Sequence, residues 1–185
     1  VRCCTQNGVR GGSATVHFPI WHQEIEDILV LKNNKGTEDN RVRKLDYSIQ
    51  ISKLFYERFI KDEEITLFSP HDVPGLYEAF GMPEFDELYE KYERSYKTPK
   101  TKIRAQELLG TLLKERAETG RIYIMNIDHC NTHSSFKDKV YMSNLCQEIT
   151  LPTTPVEHID DENGEIALCI LSAVNLGLIR DKHDL

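Results

Sequence analysis

Apolar residues along this chain follow two spacings that alternate, and the alternation restricts the fold more than any single motif does. Residues Tyr47-Ser48-Ile49-Gln50-Ile51 show the every-second-residue pattern of a half-buried strand. Residues 102–119 instead place Ala105, Leu108, Leu109, Leu112, Leu113 and Ala117 at helical steps, an apolar stripe on a helix that Thr119-Gly120 caps. Further strands are expected at residues 14–18, 65–68, 121–127, 144–150 and 165–171. Further helices are expected at 20–32, with Trp21, Ile25, Ile28 and Leu29 on one face, around Leu54, Phe55, Phe59 and Ile60, and at 84–95. Pro19 opens the first helix, Asn33-Asn34-Lys35-Gly36 ends it, and Ser69-Pro70 with Val73-Pro74-Gly75 marks a turn. The run Ile166-Ala167-Leu168-Cys169-Ile170-Leu171 is apolar on both faces, as in a parallel-sheet strand covered on both sides. Residues 128–143 have no period and suit a loop returning over the sheet. Strands alternating with helices in this way predict an α/β fold, and the absence of repeats and low-complexity tracts predicts one continuous region.

Composition excludes several classes. The 185 residues are 39% hydrophobic and 29% charged, enough to build one domain's core. The formal charge is −7, and Lys and Arg are dispersed among acids, which argues against nucleic acid as a partner. A small anion held by one Arg on a Gly-rich loop remains compatible. No run approaches the roughly 18 apolar residues of a membrane span, and no signal-peptide layout is present, so a cytoplasmic chain without a membrane partner is expected. A start at Val1 and an end at Leu185 after a charged stretch suggest a fragment. The five cysteines, Cys3, Cys4, Cys130, Cys146 and Cys169, are odd in number and widely spaced, unlike a disulfide framework. The default for each is a buried, inert thiol.

On a strand, Asn144, Cys146 and Glu148 point to one side, so an amide, a thiol and a carboxylate share one space. A solvent-facing strand explains the trio without chemistry. In a site, the thiol would react, the carboxylate would move a proton and the amide would orient a hydroxyl. Cys4-Thr5-Gln6-Asn7-Gly8-Val9-Arg10-Gly11-Gly12-Ser13 is either a flexible surface turn or a loop whose glycines let the backbone approach a ligand that Gln6 and Arg10 bind. Asp128-His129-Cys130-Asn131-Thr132-His133 has metal-ligand residue types, which Cys3-Cys4 could complete, but lacks Cys-x-x-Cys spacing. Side chains bonded to their own backbone explain that segment better, and no metal is expected. Tyr89, Tyr92 and Tyr96 fall at helical spacing and suit a packing face.

Taken together, five blocks resemble the large subunit family of class I ribonucleoside-diphosphate reductases. They are the loop from Cys4 to Gly12, Leu29-Val30-Leu31-Lys32-Asn33-Asn34, Leu67-Phe68-Ser69-Pro70 with Asp72-Val73-Pro74-Gly75-Leu76-Tyr77, Asn144-Leu145-Cys146-Gln147-Glu148-Ile149, and Glu162-Asn163-Gly164-Glu165-Ile166-Ala167-Leu168-Cys169. The resemblance implies part of a ten-stranded α/β barrel: residues 1–185 as a partial catalytic barrel domain, a specificity loop at 4–13, and a finger loop with the radical cysteine at 143–149. It implies an extended loop rather than a strand at the last of these, with the one-face geometry kept. It further implies reduction of ribonucleoside diphosphates to deoxyribonucleoside diphosphates by a cysteine thiyl radical, for DNA precursor synthesis. Cys146 would take the substrate's 3′ hydrogen, Glu148 would act as base on the 3′ hydroxyl, and Asn144 would bind near the 2′ hydroxyl. Cys169 would be one of two cysteines that supply electrons and end as a disulfide. Gln6, Gly8, Arg10, Gly11 and Gly12 would form the loop between substrate base and effector; the sequence departs from the commoner pattern at Asn7, where the family often has Gly.

The implied partners are a small (beta) subunit whose metal centre supplies the radical, thioredoxin or glutaredoxin, nucleoside triphosphate effectors including ATP, and a second copy of the full-length subunit. No cofactor is expected on this chain itself. The second cysteine of the reducing pair is expected outside residues 1–185, and the isolated chain is expected to be inactive, since part of a barrel leaves sheet edges unpaired. Two alternatives remain: a cobalamin-dependent reductase relative, which shares the Asn-x-Cys-x-Glu arrangement, and a noncatalytic nucleotide-binding or assembly module of a split reductase.

Overall fold

The computed structural model describes residue 5 and residues 7–181, in two compact units, Val1–Pro152 and Thr153–Leu185. In chain order the first unit contains β1 (Thr15–Pro19), α1 (Ile25–Val30), β2 (Asp46–Ile51), α2 (Lys53–Ile60), β3 (Glu64–Leu67), α3 (Leu76–Ala79), α4 (Phe85–Arg94), β4 (Thr101–Arg104), α5 (Ala105–Thr119), β5 (Ile122–Asn126) and α6 (Ile127–Thr132). Strands β1, β2 and β5 form a parallel sheet with β2 in the middle, and β3 pairs antiparallel with β4. Parallel neighbours require long crossovers, and α1 and α5 lie on the two that this sheet needs.

Strand periodicity sorts the sheet into unlike faces. Val16 and Phe18, Tyr47, Ile49 and Ile51, and Ile122 and Ile124 meet Ile25, Ile28, Leu29, Phe55, Ala105, Leu108 and Leu112 in one core. Each large apolar side chain buried there contributes about 1.5–3 kcal/mol. The alternate residues, Thr15 and His17, Asp46, Ser48 and Gln50, and Tyr123 and Met125, occupy the opposite face. A second core gathers Trp21, Phe68, Val73, Leu76, Phe80, Phe85, Tyr89, Ile127 and Val140, and Phe80 and Phe85 have ring centroids 4.8 Å apart.

Several expectations change. The strand at 47–51 is not half-buried: all six residues of β2 are buried, because residues 141–147 cover its polar face. The helix expected at 20–32 shortens to α1, since Trp21 and Gln23 bond the backbone of Phe68 instead. Residues 101–104 form β4, so α5 begins at Ala105. On α5, Leu113 is 49% exposed while Glu115 is buried against Asn33; the apolar stripe is therefore narrower than expected. Residues 127–132 are helical rather than looped. Residues 144–150 are not a strand, and neither are 165–171. In the second unit Ile166, Leu168 and Ile170 are 76%, 81% and 91% exposed. A parallel strand needs hydrogen-bonded neighbours, and no strand lies among the described residues of Thr153–Leu185. That unit has one short 3-10 turn, Leu176–Leu178, with Asn175 accepting from the Gly177 N–H.

A charged network ties α2, β3 and α4 together. Arg58 makes a bidentate pair with Glu93 at 2.7 Å on both arms, and Thr66 donates to the same carboxylate. The Tyr89 hydroxyl donates to the Thr66 carbonyl at 2.6 Å and accepts from the Thr66 N–H at 2.7 Å; burial pushes that phenol well above its ordinary range. Burial also pushes the Glu93 carboxyl up, but the hydrogen bonds from Arg58 and Thr66 outweigh it and hold the carboxyl below its usual range. A depressed carboxyl stabilises the fold above its unfolded value, near 4.3 for Glu, and this stabilisation is lost as pH falls through the lower folded value. Glu93→Ala should therefore destabilise by about 3 kcal/mol at neutral pH, because Arg58 is left buried without its partner. In chemical denaturation, the gap between wild type and Glu93→Gln should shrink once pH falls below about 4.

Candidate active site: a thiol turn on the polar face of the sheet

The polar face of the sheet lies under residues 141–147, and Thr15, His17, Ser48 and Gln50 reach from it toward that segment. The Thr15 hydroxyl donates to the Leu145 carbonyl at 2.8 Å. His17 Nε2 lies 3.1 Å from the Ser143 carbonyl, which can only accept, so this nitrogen carries the proton. Ser48 donates to Gln147 Oε1 at 2.9 Å, and Gln50 Nε2 donates to the Tyr141 carbonyl at 2.5 Å. Burial lowers the His17 pKa, with its bond to Ser143 partly offsetting this, so the ring is held neutral. His17 Nδ1 and Gln50 Oε1 are buried without partners among the described residues.

The segment itself is knotted. The Asn144 N–H donates to the Ile149 carbonyl at 3.3 Å, and Asn144 Oδ1 accepts the Ile149 N–H at 3.0 Å. Ser143 Oγ adds a 2.5 Å bond to the Ile149 carbonyl. At the tip, the Gln147 N–H and Nε2 both donate to the Asn144 carbonyl at 3.3 Å, and Gln147 adopts φ +71°, left-handed backbone that costs a non-glycine residue about 1 kcal/mol or more. Cys146 and Glu148 flank Gln147 and are exposed, while Asn144 is partly buried. Because Asn144 Oδ1 is committed to the Ile149 N–H, its Nδ2 donor, without a partner among the described residues, is the end left for a ligand. Asn144, Cys146 and Glu148 thus share one closed turn rather than one face of a strand.

The preceding strap anchors this turn. Asn131 bonds both the N–H and the carbonyl of Val140. Lys139 caps α3 by donating to the carbonyls of Tyr77 and Glu78, with Nζ 4.4 Å from the Tyr141 ring centroid; burial lowers this ammonium to about 8. The Asp128 carboxylate accepts from the Lys53 N–H at the start of α2, and Thr132 donates to the Asp128 carbonyl, so these side chains serve backbone groups. Among the described residues, no group of three or more His, Cys, Asp or Glu could hold a metal ion. Tyr89 and Tyr92 pack, Tyr92 donating to the Pro74 carbonyl, whereas Tyr96 is 90% exposed.

Cys169 lies exposed in the second unit. Gln6, Cys3 and Cys4 fall outside the described residues. Gly8, Arg10 and Gly11 form an exposed turn, with Gly8 at φ +77° and open space where a Cβ would stand at Gly8 and Gly11; Gly12 is partly buried. His17, Ser48, Gln50 and Gln147 were not singled out from sequence. Their only signal was polar residues at alternate positions of strands, which also fits a wet face. Cys146 and Cys169 are exposed, whereas Cys130 is half-buried and burial raises its thiol. Limited alkylation of the 185-residue chain near pH 8, mapped by mass spectrometry, should label Cys146 and Cys169 before Cys130.

Comparison with known proteins bears on what such a turn is for. Residues 1–184 match the family model described as the ribonucleotide reductase barrel domain. The ribonucleoside-diphosphate reductase subunit alpha of Haemophilus influenzae is 60% identical over 98% of this chain and 25% of its own length. The Escherichia coli ribonucleoside-diphosphate reductase 1 subunit alpha is 57% identical over 84% of the chain and 21% of its own length. The bacteriophage T4 subunit alpha is 48% identical over 94% and 23%. The chain spans about a quarter of the length of these relatives. With a family model matched from residue 1 to residue 184 on an α/β arrangement of parallel strands and helices, the chain belongs to the ribonucleotide reductase barrel-domain family.

Proposed function

We propose that this chain forms part of the catalytic subunit of a ribonucleoside-diphosphate reductase, and that residues 143–149 carry its reacting groups. The observation that carries this reading is the closed turn on the polar sheet face, which carries an exposed thiol, an exposed carboxylate and an amide whose Nδ2 has no partner among the described residues.

The chemistry follows from what each group can do. A thiyl radical on Cys146 takes the hydrogen atom from C3′, forming S–H and leaving a carbon radical. Glu148 accepts the proton of the 3′ hydroxyl, and the 2′ hydroxyl, protonated by a thiol of the reducing cysteine pair, leaves as water. Asn144 Nδ2 donates to the substrate near that 2′ hydroxyl and fixes its orientation. Two electrons and two protons come from Cys169 and a second cysteine outside residues 1–185, which end as a disulfide. Cys146 then returns the hydrogen atom to C3′ and is regenerated as the radical. The small (beta) subunit's metal centre supplies that radical, and a thioredoxin or glutaredoxin reduces the disulfide by thiol exchange. The loop at 4–13, with Gln6, Gly8, Arg10, Gly11 and Gly12, reports bound nucleoside triphosphate to the substrate base. No helix among the described residues is long and apolar enough to cross a membrane.

The test is nucleoside diphosphate reduction by the full-length subunit with its small subunit and a thiol reductant. Cys146→Ser and Cys169→Ser should abolish turnover, and Glu148→Gln and Asn144→Leu should each lower kcat by about 100-fold or more, the usual scale of a general base or orienting group. Full activity in Cys146→Ser would overturn the assignment.

A further inference from the structure

We propose that Gln147 is the positioning residue for the Cys146 thiol. Its side chain rests on β2 through the 2.9 Å bond from Ser48 and reaches back to the Asn144 carbonyl at 3.3 Å. It therefore joins the tip of the turn to the sheet floor and to the base of the turn at once. Ser48 is fully buried, at 0% exposure, so its hydroxyl offers a fixed anchor. Gln147 holds φ +71°, a conformation that an L side chain adopts at a cost. These side-chain bonds offset the cost and set the direction of the Cα–Cβ bond of Cys146, the adjacent residue. His17 steadies the other limb through the Ser143 carbonyl, and Ser143 closes the turn on Ile149. Hydrogen-atom transfer depends steeply on the distance between sulfur and carbon. Releasing the tip thus reduces the fraction of turns with the thiol in reach while leaving substrate binding untouched.

This inference rests on the proposed role of Cys146, and the experiment separates the two. In the full-length subunit with its small subunit, Gln147→Gly removes the side-chain anchor and relieves the backbone strain. Gln147→Met keeps the side chain's length and removes both bonds. The expected result for each is a fall in kcat of about tenfold and KM within about twofold, since misplacement of a reacting group by about 1 Å can cost as much as 100-fold. The melting temperature should be lowered by only a few degrees, as the buried Ser48 hydroxyl loses its acceptor. Ser48→Ala should give a loss no larger than that of Gln147→Met, and combining the two should add nothing further, because Gln147→Met already removes the link to Ser48. A kcat within about twofold of wild type in both Gln147 variants would overturn the proposal, as would losses that multiply in the double variant. Cys146→Ser serves as the control. If it is inactive while both Gln147 variants are fully active, the positioning role alone fails; if Cys146→Ser is active, the reading beneath it fails as well.

Discussion

Ser48 and Gln50 place a hydroxyl and an amide on a strand where no residue is exposed. A buried polar group without a partner costs about 1–3 kcal/mol, so β2 can be the central strand of this sheet only if polar atoms lie over that face. Residues 141–147 supply them: the Tyr141 carbonyl for Gln50 and the Gln147 amide for Ser48. The flanking strand β1 adds Thr15 and His17, which hold the Leu145 and Ser143 carbonyls. The segment that bears the thiol thereby takes hydrogen bonds from the sheet, and Ser48 Oγ and Gln50 Nε2 find their acceptors on that segment.

The second core determines where this strap enters. Val140 is fully buried beside Trp21, Phe80 and Ile127, and Asn131 bonds both sides of its backbone. Lys139, beside it, caps α3 and lies against Tyr141. Packing thus delivers residue 141 to the end of the sheet, and polar contacts guide the chain from there to Ile149. The two cores do different work: one holds helices on the apolar face, and the other aims the thiol turn across the polar one.

The parts legible in the sequence were those in which one residue's neighbours decide its state. β1, β5, α2 and α4 follow from local periodicity and lie within a residue or two of their expected ends. Where tertiary contacts decide, the sequence misled. Residues 20–24 have helical spacing, but Trp21 and Gln23 serve the backbone of Phe68. Ser48 and Gln50 alternate with isoleucines as on a wet strand, and burial of such a face depends on a loop about ninety residues later. Asn144, Cys146 and Glu148 stand out by residue type, yet their alternation belongs to a turn with a left-handed residue, Gln147, at its tip rather than to a strand. The Ile166 to Leu171 run asks for cover on both faces, and no neighbouring strand lies among the described residues of its own unit. The family, by contrast, was legible because five motifs kept their order over most of the chain.

The central claim is that Cys146 takes a hydrogen atom from C3′ of a ribonucleotide. The most direct measurement is turnover of a nucleoside diphosphate carrying deuterium at C3′, by the full-length subunit with its small subunit. The account predicts a primary isotope effect on kcat/KM for wild type and no turnover by Cys146→Ser. A rate insensitive to the label, together with measurable turnover by Cys146→Ser, would contradict it.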